Sequence, residues 1–226
     1  MKKRIGILGG ISYESTIKYY ELICAKYYET VGDYFYPEIV IFSLNFQKFT
    51  NFELEGTPHY IEYILEGIKS LEKAGADFVI MAANSPHAVF TEVEEKSNLP
   101  VLSIVEVTAE RAKKEGMRTL LLLGIKFTMQ SSFYQDVCKK FRITVVVPSH
   151  EQQNSIDRII FNELARGILK EESRKRIIDI IESYEADGVI LGCTELPLLI
   201  TQKDVKKPLL DTVELHVEAA LKYALC

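Results

Sequence analysis

Residues 76–83 read A-D-F-V-I-M-A-A and residues 186–193 read A-D-G-V-I-L-G-C, two nearly identical runs set 193 − 83 = 110 positions apart. Each is a short, apolar, partly β-branched run, which reads as a strand buried on both faces of a parallel sheet. Each continues into a small polar pair, Asn84-Ser85 in the first and Thr194-Glu195 in the second. Matched stretches follow, P-V-L-S-I-V-E-V at 100–107 and P-L-L-D-T-V-E-L at 208–215. Upstream, I-G-I-L-G-G at 5–10 is answered by L-L-L-L-G at 120–124. The repetition predicts two similar halves about a pseudo-twofold, with equivalent strand ends facing one ligand in a cleft. One half ends its strand on a thiol, Cys193, and the other on a methyl, Ala83.

Outward from these runs, apolar segments alternate with amphipathic stretches of helical length, as in α/β proteins with parallel sheets. Strands are expected at 4–8, 38–44, 78–82, 101–104, 119–123, 143–147, 188–192 and 208–211. Helices are expected at about 13–31, 57–75, 86–97, 105–116, 128–140, 154–169, 171–185 and 212–225. Because 212–225 copies 105–116, the last helix is expected to return to the first half. The domains expected are therefore 1–103 plus 212–226, and 104–211. The fold class is α/β, with two pseudo-symmetric parallel-sheet domains and an active-site cleft between them. Ligands of open parallel sheets bind beyond the carboxyl ends of the strands. Here those ends are 9–12, 43–45, 83–85, 124–128 and 193–195.

The chain has 226 residues, with 47% hydrophobic and 26% charged residues, enough for a real core in each half. A net charge of −5 and the lack of a basic cluster give no footprint for nucleic acid. No run of 18 apolar residues exists to span a membrane. The opening M-K-K-R-I-G-I-L-G-G turns polar too soon for a signal peptide and reads as a first strand. Cys24, Cys138, Cys193 and Cys226 show neither metal nor disulfide spacing, so cytoplasmic thiols are the plain expectation.

Cys193 stands out because it lies immediately after a strand, in G-C-T-E-L-P. A thiol has a reference pKa of about 8.5, close enough to neutrality to act as acid or base. The other three cysteines read as ordinary small hydrophobes or terminal residues. Asn84, Ser85 and Thr194 can offer an amide and hydroxyls to a carboxylate. In G-G-I-S-Y-E-S-T (9–16), Ser12 or Ser15 reads as a helix cap beside a nest for an anion. The spacing is not G-x-G-x-x-G, so no dinucleotide is implied. His87 and His216, near helix starts, read either as proton relays or as caps. His59 and His150 read as surface residues, and Asp157, Arg158 and Arg166 as a solvated helix face.

With these residues in view, the chain resembles the aspartate/glutamate racemase superfamily. The signatures of that superfamily are a Gly-Gly turn after the first strand, a C-N-T-x-H stretch and a G-C-T-E stretch. They stand here as Gly9-Gly10, A-N-S-P-H (83–87) and G-C-T-E (192–195). The likeness runs the length of the chain. It implies a cofactor-independent enzyme, usually a homodimer, acting on a small carboxylate-bearing amino acid such as aspartate or glutamate, with no metal. It also implies catalysis by paired cysteines, one per half, on opposite faces of Cα. Carried over, Cys193 matches the second catalytic cysteine and Ala83 takes the place of the first. Ser12, Asn84, Ser85, Thr128, Thr194 and Glu195 fall at substrate-contact positions. Ala83 cannot move a proton. Where some aspartate racemases hold the side-chain carboxylate with Arg and Lys, this chain offers Lys48 and Arg166 only as neighbours. A single-cysteine decarboxylase or isomerase of the same superfamily, and a silent carboxylate-binding protein, are the alternative readings.

Overall fold

The computed structural model describes residues 2–56 and 58–226. The chain divides into two compact units, 1–104 with 216–226, and 105–215. In the first, β1 (Ile5–Gly9), β2 (Ile39–Ser43), β3 (Phe78–Met81) and β4 (Val101–Leu102) form a parallel sheet in the order β2-β1-β3-β4. In the second, β5 (Thr119–Gly124), β6 (Thr144–Val146), β7 (Gly188–Gly192) and β8 (Leu209–Asp211) repeat that topology as β6-β5-β7-β8. All eight strands fall where apolar runs predicted them. The central strands β1, β3 and β7 are buried at every residue, as an all-parallel sheet covered on both faces requires.

The repeated Asp explains itself in the structure. Asp77 Oδ2 accepts from Arg4 N at 2.6 Å, while Asp77 N donates to Arg4 O at 2.9 Å. Asp187 Oδ2 accepts from both Arg118 N and Thr119 N at 2.8 Å. These backbone bonds hold the Asp187 carboxyl below the usual range. Each carboxylate ties the start of one central strand to the start of its neighbour.

The helices follow the sequence less closely. In the first unit α1 (Tyr13–Val31) starts on Ser12, whose side chain accepts from Ser15 N, and stops at Gly32. The next helix, α2 (Phe46–Glu55), stands where no helix was expected. Its Phe46, Phe49 and Phe52 recur every third residue, but only Phe49 is fully buried and the helix is ten residues long, so its Asn45 cap and Gly56 stop mark it more clearly than its apolar line does. The helix expected at 57–75 is α3 (Pro58–Lys73), and Thr57 lies outside the described residues. The stretch 86–97 is a short 3₁₀ turn, Ser85–Val89, leading into α4 (Phe90–Lys96).

In the second unit α5 (Ile104–Lys114) leads to β5, and the expected helix 128–140 is two, α6 (Lys126–Gln130) and α7 (Phe133–Lys140). They part at Ser131, whose ψ of 155° is extended and whose hydroxyl returns to Phe127 O. Helix α8 (His150–Asn162) begins four residues earlier than its apolar period suggested, because Ser149 and Gln152 form a reciprocal capping box. After α9 (Glu171–Glu182) and the short α10 (Leu196–Leu199), also unexpected, α11 (Thr212–Leu225) closes the chain. Its residues from His216 onward belong to the first unit. Among the described residues no helix is long and apolar enough to cross a membrane.

Two buried histidines lock the first unit. His216 Nδ1 meets Tyr19 Oη at 2.9 Å and its Nε2 meets Leu102 O at 3.0 Å. His87 Nδ1 lies 3.1 Å from Ala83 O, and its Nε2 accepts from Ile104 N at 3.2 Å. Both rings are spent on structural bonds, so neither is the proton relay considered from sequence. Burial lowers the pKa of His87 from 6.5 to about 3, helped by the His216 charge, and that of His216 to about 4. The folded protein keeps both neutral, whereas the unfolded chain protonates both below about pH 6.5. Stability is therefore whole above that pH. It should fall as pH drops toward 4, by up to about 1.4 kcal/mol per pH unit for each histidine. Urea midpoints measured from pH 7 to pH 4 check this. His216→Gln should lower stability at pH 7 yet flatten the acid slope.

Candidate active site

The polar residues beyond each sheet form two separate groups, one per unit. In the first unit the Gly9-Gly10 turn ends β1. Gly10 has φ 79°, and a Cβ there would stand 2.2 Å from Leu44 O, so only glycine fits. Thr16 Oγ1 accepts from Gly10 N at 2.8 Å and bonds Ser12 O at 2.8 Å. Ser15 Oγ donates to Ala82 O, which ties the first turn of α1 to the residue before Ala83. Ser12, Ala83, Asn84 and Ser85 thus share one strand-end neighbourhood. Asn84 and Ser85 are buried, whereas Ala83 is half-buried against the apolar cluster of Leu8, Met81 and Tyr60.

A carboxyl that sequence reading missed joins this group. Glu53, on α2, accepts from Tyr60 Oη at 3.1 Å, and the Ser85 hydroxyl acts on it to lower its pKa. Partial burial raises its pKa, and the two hydroxyls offset that rise only in part. Residues 53 and 85 are 32 apart and lie on different elements, so no local signal announced their proximity. Lys48, considered as a carboxylate holder, instead lays its Nζ 4.2 Å over the Tyr63 ring. Arg166 is exposed, in the 3₁₀ turn Leu164–Arg166.

In the second unit the group centres on Cys193, one residue past the end of β7 and 8% exposed. Its Sγ donates to Glu195 Oε2 at 2.8 Å, and the same oxygen accepts from Thr194 Oγ1 at 2.7 Å. Burial first, then the Glu195 carboxylate and more weakly Asp157, push the thiol pKa well above its ordinary value. Cys193 therefore rests as a thiol with a carboxylate ready to take its proton. Thr128 lies beside Gly192, and its buried Oγ1 is without a hydrogen-bond partner among the described residues. An unmet buried hydroxyl at a strand end is suited to a polar ligand atom. Asp157 corrects the expectation of a solvated face: its Oδ1 accepts from Lys126 N at 2.7 Å and fixes the start of α6, the helix carrying Thr128. Arg158 stays exposed.

The other cysteines differ. Burial pushes Cys138 up to about 12 and raises Cys24, while Cys226 is exposed.

Two parallel α/β units of the same topology, each with polar residues at its strand ends, have the architecture of an enzyme acting on a small molecule. Comparison with known proteins makes the class specific. The family described as Asp/Glu/Hydantoin racemase matches residues 8–220, and the chain belongs to that family of cofactor-independent racemases. Membership implies an isomerase. The chain is 26% identical over 217 residues, 92% of each sequence, to the broad specificity amino-acid racemase RacX of Bacillus subtilis (strain 168). It is 42% identical to an aspartate racemase homologue from Pyrococcus horikoshii OT3, whose crystal structure covers 100% of both chains at a TM-score of 0.90. The aspartate racemase of Picrophilus torridus is 26% identical, covering 98% of this chain and 94% of its own, with a TM-score of 0.76.

The electrostatics of Cys193 predict its reactivity. Site-resolved mass spectrometry after iodoacetamide treatment should find Cys226 modified first and Cys193 slow at neutral pH. Glu195→Gln removes the anion that disfavours the thiolate. It should speed Cys193 alkylation at pH 8 by about tenfold, the equivalent of one pKa unit. An unchanged or slower rate would mean that Glu195 does not control the thiol.

Proposed function

We propose that this protein is an amino-acid racemase for aspartate or glutamate in which Cys193 carries one of the two protons. The observation that supports it is the Cys193 Sγ–Glu195 Oε2 contact of 2.8 Å at the carboxyl end of β7, at the position that mirrors Ala83. Inversion at Cα removes a proton on one face and returns one on the other. Cys193 in its resting, protonated form is the acid. To act as base it first hands its proton to Glu195, and the thiolate then takes the Cα proton. Asn84 and Ser85 in one unit, and Thr128 and Thr194 in the other, are neutral groups at strand ends suited to an anion whose charge grows as the proton leaves. Ser12 lines the loop that bears Ala83.

On the Ala83 side a methyl replaces the thiol, so a second proton must come from another group. In that unit the partly buried carboxyl is Glu53, held by Tyr60 Oη, and Glu53 is the proton carrier we assign there. The single thiol also favours a second reading, a decarboxylase of the same superfamily in which one acid protonates the enolate left by departing CO2.

The test follows Cα deuterium exchange and optical inversion of L- and D-aspartate and glutamate in D2O. The native protein should invert both, and Cys193→Ala should lose both by a factor on the order of 10²–10⁴. Glu53→Gln should leave exchange of one enantiomer while stopping inversion. Exchange of one enantiomer only by the native protein would remove Glu53 from the mechanism. Release of CO2 from a substituted malonate without any exchange would favour the decarboxylase.

A further inference from the structure

At the end of the second unit where its strands begin, the fold gathers charge that the sequence keeps apart. Lys113, Lys114 and Arg118 lie where α5 ends and β5 begins, and Lys139, Lys140 and Arg142 where α7 ends and β6 begins. The whole stretch 119–138 separates the two runs in the chain, so neither reads as a basic cluster. In the structure they adjoin. Lys113 Nζ lies 5.7 Å from the centre of the Phe141 ring, and Thr144 N donates to Arg118 O at 2.8 Å. All six cations are exposed. None of them is in an ion pair among the described residues. Nearby, Glu115 is taken by Arg111 at 3.7 Å, and Asp187 by the backbone N–H groups of Arg118 and Thr119.

Helix dipoles do not account for this charge. Lysines in a last turn do offset the partial negative charge of a helix C-terminus, which covers the four lysines and neither arginine. Helix α1 holds between β1 and β2 the place that α7 holds between β5 and β6, yet its last turn has no basic residue. Arg142 is the sharper case. Its N–H donates to Lys139 O and that of Ile143 to Cys138 O, both at 3.0 Å, a pair of bonds that closes a helix through a left-handed residue. The same pair of bonds is made at Gly75, Gly116 and Gly167, where φ is 86°, 76° and 69°. A Cβ at Gly116 or Gly167 would meet nothing within 4 Å, so backbone conformation and not space selects glycine there. Arg142, at φ 62°, is the one non-glycine residue with positive φ among the described residues. The chain thus keeps a strained arginine where it elsewhere uses glycine, as positions do whose side chain is put to use.

We propose that this surface docks a short acidic segment of a partner protein, a run of Asp and Glu side chains lying across the ends of α5 and α7, and that Arg142 is kept for its charge there. The charge balance selects the occupant. The six are among 27 lysines and arginines, and the other 21 face 32 carboxylates. A long polyanion such as a nucleic acid duplex would run off the patch onto an acidic protein. No large hydrophobic side chain in 105–147 is exposed, so the surface lacks what a basic membrane face inserts. Phe141 is half-buried with Lys113 over it and offers no open ring on which a base could stack. Packed helices stand about 8–10 Å apart and an extended chain gains about 3.3 Å per residue, so roughly six to eight residues span both helix ends. The inference does not rest on the reaction catalysed.

The test is fluorescence anisotropy of a labelled eight-residue peptide of alternating Asp and Glu, titrated with the full chain at low salt. Saturable binding is expected, weakening as salt is raised. Lys113→Glu/Lys140→Glu should weaken it by about tenfold and Arg142→Gly by about threefold, whereas Arg142→Lys should keep most of it. Lys69→Glu/Lys73→Glu, the same change of charge on exposed residues of α3, should leave it unchanged. Arg142→Gly should at the same time raise the melting temperature by about 2 °C, because glycine relieves the left-handed strain. Weaker binding by a more stable protein cannot be laid to a damaged fold. The proposal is overturned by the absence of saturable binding, by equal losses from the two lysine pairs, or by an Arg142→Gly protein that binds as the native chain does or melts lower. It is also overturned if an eight-nucleotide single strand, or vesicles containing phosphatidylserine, bind more tightly than the peptide.

Discussion

The site depends on a constraint at the far end of each sheet from it. Parallel strands have no tight hairpin to fix their register, so something must hold β3 against β1 and β7 against β5. Asp77 and Asp187 do this by taking backbone N–H groups of the neighbouring strand as it begins. With Asp187 holding that end, Gly192 pairs with Gly124, and Cys193 emerges one residue later beside α6, the helix that carries Thr128. A slip of one residue would turn every side chain of β7 to the other face and bury the thiol in the core. The residues that look least chemical in the repeat are therefore those that aim its chemistry.

The electrostatics around Cys193 run against the common way of making a reactive cysteine. A nearby cation lowers a thiol pKa, whereas here Glu195 bonds the sulfur directly and Asp157 adds a second negative charge. The thiolate is disfavoured and the thiol favoured. Such a group returns protons readily and removes them only when its own proton has somewhere to go. Glu195 is that place, 2.8 Å away. A cationic group arriving nearby would neutralise part of the negative field and make the thiolate easier to reach.

What could be read from the sequence, and what could not, divides along a physical line. The eight strands were legible because a strand buried on both faces is a continuous apolar run, and no other element of that length looks the same. Cys193 and its mirror Ala83 were legible because the fold is built twice, so each half marks where the other keeps its polar residues. Helix α2 was not, because it buries only Phe49 and its ends are set by Asn45 and Gly56. Glu53 was hidden with it. Asp157 read as a surface charge because its helix face is polar, yet its partner is Lys126 N, 31 residues away. Contacts that bring distant polar residues together leave no period behind. His87 and His216 show the converse: chemically suggestive residues that the fold uses as clamps.

The two strand ends can be compared as chemical devices. Beyond β7, a thiol and a hydroxyl both donate to the carboxylate of Glu195. Beyond β3, the hydroxyl of Tyr60 donates to the carboxylate of Glu53, and that of Ser85 lowers its pKa. Each unit thus pairs a small proton-bearing side chain with a partly buried carboxylate, and the difference between them is sulfur against oxygen. A serine hydroxyl is far too weak an acid to hold the charge itself, so on that side the charge must reside on the carboxylate. Burial raises the Glu53 pKa above the ordinary carboxylate value. Ala83 fits the same logic. Its methyl is partly buried against the apolar cluster of the first unit, where a thiol would be partly desolvated. A thiol there would itself be pushed toward the neutral form, and it too would need a carboxylate to take its proton. The first unit keeps that carboxylate whether or not the sulfur is present.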